Sequence, residues 1–555
     1  MVYTTSPHRL QNVSFYERRA KVAWWLLFLC LMGVSGLVSL LILRNGPSPS
    51  TIAWLFYWIG VVAIFYQPRY GIYLILGLTL FADRALHPWY PFAKNFSSLE
   101  SVMYLHSALI ISPLETYIAF TGLAWLGRMA MERRIRIYTG PLFWPALLFL
   151  VFVTYGLLYG IARGGNLVIA LWEARAIYYL AAMLLLASNL IKTPAHVSKL
   201  LWIAAIALFF KGIAGTWYVA AVLGWDTAGV ERIAEHSMSI HFNAFFVLLI
   251  ASWLYHDTTT RRLVLPVMAP FILLSFVANH RRAGFLTLGI AIGLILLLLY
   301  REHRKLFFVV APTGTVAFLA YLAAFWNNQG AIGMMARAVR SVVGQPTPRD
   351  AASNIYRDLE NINSMFTIKT VPLTGVGFGN KFYIIAPMAD ISFFEWWEYI
   401  THNSILWVWM KTGAGGFFAL LLLVGMSLIL GGRAVWSMPR GPLRGAALVA
   451  ALYILMHFIY AYVDMSWDTN SMVFVGVMMA LLNTLHLIAA QPVPVAARRW
   501  PWQPVPEQAE QTPPVPVPPR ERRGGFGRQP GWALSSDLVG PGRERPGSFH
   551  AGAGD

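Results

Sequence analysis

Apolar runs separated by short polar breaks recur along the chain from residue 22 to residue 489. A helix needs roughly 20 apolar residues to cross the hydrocarbon core of a bilayer. Runs of about that size fall near 22–43, 51–66, 70–83, 111–128, 142–160, 174–190, 199–224, 238–255, 263–278, 283–300, 306–326, 405–431, 444–463 and 470–489. The pattern predicts an all-α polytopic membrane protein with about 12–14 transmembrane helices. The second and third runs are short, and the Gln67-Pro68 break leaves them tilted, re-entrant or merged.

The same pattern divides the chain into a 1–21 N-terminal segment, a 22–326 helix bundle, a 327–401 polar loop, a 402–490 group of C-terminal spans and a 491–555 tail. The loop holds two amphipathic stretches, Met334 to Val343 and Ile355 to Ile368, and then Pro372-Leu373-Thr374-Gly375-Val376-Gly377-Phe378-Gly379. A connection of that length inside a compact protein is usually functional. The tail carries 13 of the 32 prolines and little apolar material, which predicts disorder with polyproline II character. It reads as a dispensable extension, with a proline-rich docking ligand as the alternative.

Composition removes the soluble alternatives. Hydrophobic residues make up 57% of the chain and charged ones 12%, with a mean hydropathy of +0.55. A soluble chain carries about 25% charged residues to wet its surface, so several soluble domains are excluded. Cys30 is the single cysteine, which rules out a disulfide framework and a Cys-based metal site. The net charge of +18 is a matter of topology in such a chain, and it implies membrane lipids as partners, with no nucleic acid. With the N-terminus inside, the inner segments carry nineteen Lys and Arg against eight in the short outer loops. That bias predicts both termini in the cytoplasm and the 327–401 loop outside. The first run lacks a small-residue cleavage site, so no cleavable signal peptide is expected.

Charges at the bilayer edge are costly and mark candidate function. The outer side gathers Arg163, Glu173, Arg175, Arg232, Arg281, Arg282 and His402. Arg281 and Arg282 occupy a very short turn before an apolar run, and the planar guanidinium fork suits phosphate. Headgroup snorkelling is the plainer reading of that pair. His402, in Thr401-His402-Asn403-Ser404, opens another apolar run, with Thr401 or Asn403 able to cap the helix. A helix N-terminus disfavours imidazolium, so His402 is expected to be neutral and able to take a proton. Lys211 and His457 lie mid-span, where buried structural pairing is expected, and Asp464 and Asp468 read as solvated turn residues. The Gly375, Gly377, Gly379 series has no βαβ context and is not a dinucleotide fingerprint. The histidines and carboxylates lack metal-ligand spacing, so no metal and no cofactor are expected.

The Pro372 to Asn380 segment, then His402-Asn403, nine residues and Gly413-Ala414-Gly415-Gly416, resembles the bacterial O-antigen ligase and O-antigen polymerase superfamily. Arg357 with its amphipathic stretch looks like the family's loop, and Arg281-Arg282-Ala283-Gly284 looks like its arginine-plus-small-residue start of a span. Arg232 sits where a second outer arginine of the family falls. The resemblance implies a metal-independent, inverting glycosyltransferase of the bacterial plasma (inner) membrane, working on the outer face. The implied donor is a glycan on undecaprenyl diphosphate, and the acceptor is a hydroxyl on a lipid-linked sugar, a glycan or a protein. It implies His402 as catalytic, Arg282, Arg281 and Arg232 as diphosphate-binding, and Asn403, Arg357 and Arg175 as supporting residues. A polymerase of the same superfamily is the near alternative. A lipid-linked sugar flippase is the rival from another class, although the chain shows no twofold repeat.

Overall fold

The computed structural model describes residues 48–490 except 134, 228, 229, 231, 329 and 345, together with scattered positions between 25 and 46. The expected 1–21 segment, much of the 22–43 run including Cys30, and the 491–555 tail lie outside the described residues. The described residues contain helices and no strand. In chain order the α-helices are α1 (Pro49–Tyr66), α2 (Arg69–Phe81), α3 (Pro113–Met131), α4 (Phe143–Ala162), α5 (Leu167–Leu190), α6 (Pro194–Trp217) and α7 (Met238–Leu254). They continue with α8 (Thr259–Ala278), α9 (Arg282–Glu302), α10 (Arg304–Phe325), α11 (Met334–Val342), α12 (Pro348–Thr370), α13 (Ser404–Ser437), α14 (Pro442–Tyr460) and α15 (Thr469–Ala489). Ten of the described helices are long and apolar enough to cross a membrane, and α2 and α7 are shorter apolar helices.

Local chemistry sets the helix starts. Ser112 and Glu115 form a reciprocal capping box around Pro113, and Thr193 and Thr347 cap helices that begin with proline. Proline is tolerated there because its missing N–H has no intrahelical partner at that position. Asn166 caps α5 by accepting from the N–H groups of Val168 and Ile169. That helix therefore begins at Leu167, seven residues before the apolar run suggests. Glu173 and Arg175 interrupt the run in sequence but not the helix, because both find partners inside the protein.

α14 and α15 form the middle of the bundle, with α15 packed on α5 and α14, α14 on α7, and α13 on α4. In contrast α10 buries none of its length in the protein, resting mainly on α9 and α11. Lys211 is buried, donating to the Ala82 carbonyl at 2.7 Å and facing Asp83 at 3.7 Å, as a structural pairing requires. His457 departs from that expectation, since neither buried ring nitrogen has a hydrogen-bond partner among the described residues.

The segment after α12 returns into the bundle as a wedge of backbone. The Val376 N–H donates to the Met410 carbonyl at 2.8 Å, and the Phe378 N–H to that of Gly156 at 3.1 Å. Gly377 has φ +81°, and a Cβ there would collide with the Gly160 backbone. Opposite the wedge, α13 breaks at Gly413 (φ 71°, ψ −176°), and the Ala414 N–H turns to the Pro372 carbonyl. These glycines let three backbones touch.

A fully buried ion pair fastens the wedge. Lys411 Nζ lies 3.0 Å from Glu173 Oε1 and donates to the Asn380 carbonyl at 2.6 Å. Glu173 Oε2 accepts from the Gly379 N–H, also at 2.6 Å. The chain is thereby held at the point from which it runs on to His402.

Candidate active site

Asn403 caps α13, its side chain accepting from the Leu406 N–H at 3.1 Å. The next residue is stitched to the turn after α14. The Ser404 N–H donates to the Ala461 carbonyl at 2.8 Å, and Trp467 Nε1 donates to the Ser404 carbonyl. His402 therefore stands one residue before the cap and takes no part in it.

Its partner is Glu360 of α12, a carboxylate with 3% of its side chain exposed. One oxygen, Oε2, accepts from the His402 backbone N–H at 2.7 Å and lies 3.0 Å from Nδ1. Tyr356, one turn earlier, sets its ring edge-on to the imidazole at 5.9 Å. A carboxylate at Nδ1 holds the proton on that nitrogen and leaves Nε2 as the basic one. Burial is the largest influence on the imidazole and lowers its pKa. The Glu360 hydrogen bond and charge, with Asp464, outweigh burial and the opposing Arg357, so the net shift is upward. The shift is therefore opposite in direction to the one expected from the helix terminus, because a buried carboxylate in contact acts more strongly than a helix end one residue away.

The arginine pair begins α9. The turn before it is held by Asn279, which accepts from the Ala234 N–H at 3.1 Å and donates to the Glu235 carbonyl and Ser239 Oγ. Arg282 Nη2 donates to Asn354 Oδ1 at 3.1 Å, and its Nε lies 3.5 Å from Asp350. Arg281 Nη1 lies 4.0 Å from Asp464. Asp464 is not the solvated turn residue that the sequence suggests. It is 3% exposed, 2.9 Å from His236 Nδ1, and accepts from the Tyr460 hydroxyl at 3.0 Å. Burial would raise its pKa, but the charges of His236, Arg281 and His402 hold it well below the ordinary carboxylate range.

His402, Asn403, Arg281, Arg282 and Arg357 all line one cavity of about 1240 Å³, together with Asp464, Asp350 and Arg337. The cavity continues as an apolar groove between Leu286, Gly289 and Leu296 of α9 and Val310, Gly314 and Phe318 of α10. Arg232 and Arg175 do not line it. Arg232 is exposed, with its charge felt at His236. Arg175 faces Asn95 at 3.3 Å and Glu115 at 3.9 Å in a separate cluster.

Glu360 was missed in the sequence because it sits in a polar stripe with Ser364 and Thr367 that reads as the wetted face of a loop helix. In the structure that face is buried. Its role makes a pH prediction. A histidine acting as base must be neutral, so the rate rises with pH through the raised His402 pKa. Replacing Glu360 by Gln removes the main upward influence and leaves burial and Arg357, which both lower it, opposed by Asp464 alone. The acid limb of the pH–rate profile is expected to move to lower pH and the maximal rate to fall. An unmoved limb would show that Glu360 does not govern His402.

Among curated proteins, none matches the chain. Residues 266–421 match the family model described as O-Antigen ligase, a span that contains Arg281, Arg282, Arg357, Glu360 and His402. That match supports a likeness of this segment to the O-antigen ligase and polymerase superfamily, whose members are membrane glycosyltransferase-like enzymes that handle glycans.

Proposed function

We propose that the protein moves a glycan from undecaprenyl diphosphate to an acceptor hydroxyl, with inversion and without a metal ion, on the outer face of the bacterial plasma membrane. The observation that carries this reading is the shared cavity: a carboxylate-held histidine and an arginine pair face one space that runs on into an apolar groove. A lipid-linked sugar diphosphate has those three parts in that order.

In the proposed reaction His402 Nε2 takes the acceptor proton as the acceptor oxygen attacks the anomeric carbon. The bond from that carbon to the phosphate oxygen breaks, and its electron pair leaves with the diphosphate. Arg281 and Arg282 stabilise the charge that develops there, a task fixed donors perform best where water is excluded. Glu360 and Asp464 stabilise the imidazolium, which later releases its proton to solvent. Ligase and polymerase share every one of these steps and differ only in the acceptor. A flippase reading leaves the His402–Glu360 pair without a task.

The test is transfer by purified protein in excess chelator, with lipid-linked glycan as donor. The parent is expected to remain active. Arg282→Ala is expected to lose about tenfold or more, the scale of a hydrogen bond to a charged group, and Arg282→Lys to keep part of the rate because charge survives without the fork. Activity restored only by magnesium or manganese would contradict the metal-free reading. Full activity of both variants would reduce Arg282 to an interfacial anchor.

A further inference from the structure

α11 is a nine-residue helix inside the long loop, and it brings both apolar and charged side chains to the cavity. Met335, Ala338 and Val339 line the cavity near the apolar groove. Arg337 lines the same cavity and is paired with Asp350, donating Nε to Oδ2 and Nη2 to Oδ1, both at 3.0 Å. Arg282 Nε lies 3.5 Å from the same carboxylate, and Thr347 Oγ1 donates to it at 2.8 Å. Two guanidinium groups, one from a spanning helix and one from the loop, thus converge on a single carboxylate in the cavity that continues as the apolar groove.

Carboxylate and phosphate offer similar acceptor oxygens to an arginine fork. We propose that Arg337 is a further donor-recognition residue: α11 clamps a diphosphate lipid, with Arg337 and Arg282 sharing the diphosphate in place of Asp350 while Met335, Ala338 and Val339 cover the adjoining apolar chain. The inference rests on the donor reading above and adds to it the element that completes the site. Asp350 keeps the two arginines aligned while the site is empty, and it competes with the incoming anion. Burial alone would raise its pKa, yet its bonds to Arg337 and Thr347 and the charge of Arg282 hold it at about 2, so it remains a full anion at neutral pH.

That competition fixes the signs of two substitutions. Arg337→Ala removes one phosphate partner, whereas Asp350→Asn removes the competitor and leaves both arginines. A plain brace between α11 and α12 would make both changes harmful.

The experiment measures undecaprenyl diphosphate binding to the full chain in lipid nanodiscs, with inorganic pyrophosphate as competitor. Arg337→Ala is expected to weaken binding about tenfold, on the scale of a charge-assisted hydrogen bond, with Arg337→Lys in between. Asp350→Asn is expected to tighten it several-fold, and pyrophosphate to displace the lipid only at far higher concentration. Both substitutions shifting binding in one direction, or neither shifting it, would overturn the role of Arg337. Pyrophosphate competing as well as the lipid would overturn the clamp. A parent protein with no affinity for the lipid diphosphate would overturn this inference together with the donor reading, whereas a parent that binds and ignores both substitutions removes this inference alone.

Discussion

His402→Asn is expected to lose glycan transfer by about 10² or more, the scale of general acid–base catalysis, while donor binding stays within a few-fold of the parent. The asparagine variant is the cleaner test than alanine. Alanine leaves Glu360, a buried carboxylate, with the backbone N–H of residue 402 but without the side-chain contact. An amide can still donate to that carboxylate, yet it cannot accept a proton at neutral pH. Capping does not confuse the result, because Asn403 holds the α13 cap. Transfer and binding are therefore expected to separate. A fully active His402→Asn protein would remove the base from the mechanism and leave His402 as a tether for α12.

The largest expected effect on stability lies away from the cavity. Lys411→Met is expected to destabilise the fold by about 3–5 kcal/mol, the scale seen when one partner of a buried ion pair is removed. Glu173 would keep only the Gly379 N–H at 2.6 Å and the Trp407 indole at 3.4 Å as donors. Adding Glu173→Gln is expected to recover part of the loss, because the uncompensated charge disappears. Thermal unfolding in detergent, compared across the single and double variants, checks both signs. A loss below about 1 kcal/mol, the scale of an exposed ion pair, would show that the wedge does not depend on this anchor.

The helices were legible because their apolar runs are long, whereas caps such as Ser112 and Asp468, the latter read from sequence as a solvated turn residue, emerge only in the structure. The earlier start of α5 has a physical reason: Glu173 looks like a loop residue until the protein supplies Lys411 as its partner. Arg281 and Arg282 stood out as charges in a turn too short to need them, and His402 by its place before an apolar run. Glu360 and Asp464 did not stand out. Each is an acid whose importance comes from a neighbour distant in sequence, and each carries the same local signature as a solvated residue. Arg175 shows the converse, a charge at a telling depth whose partners place it in another cluster.

The most direct test of the account is a structure of the full chain with a lipid-linked diphosphate glycan bound. The diphosphate is expected within hydrogen-bond distance of Arg281 and Arg282, the prenyl chain between α9 and α10, and the anomeric carbon on the side facing His402 Nε2. A donor bound with its diphosphate away from this cavity, or with the sugar turned from His402, would contradict it.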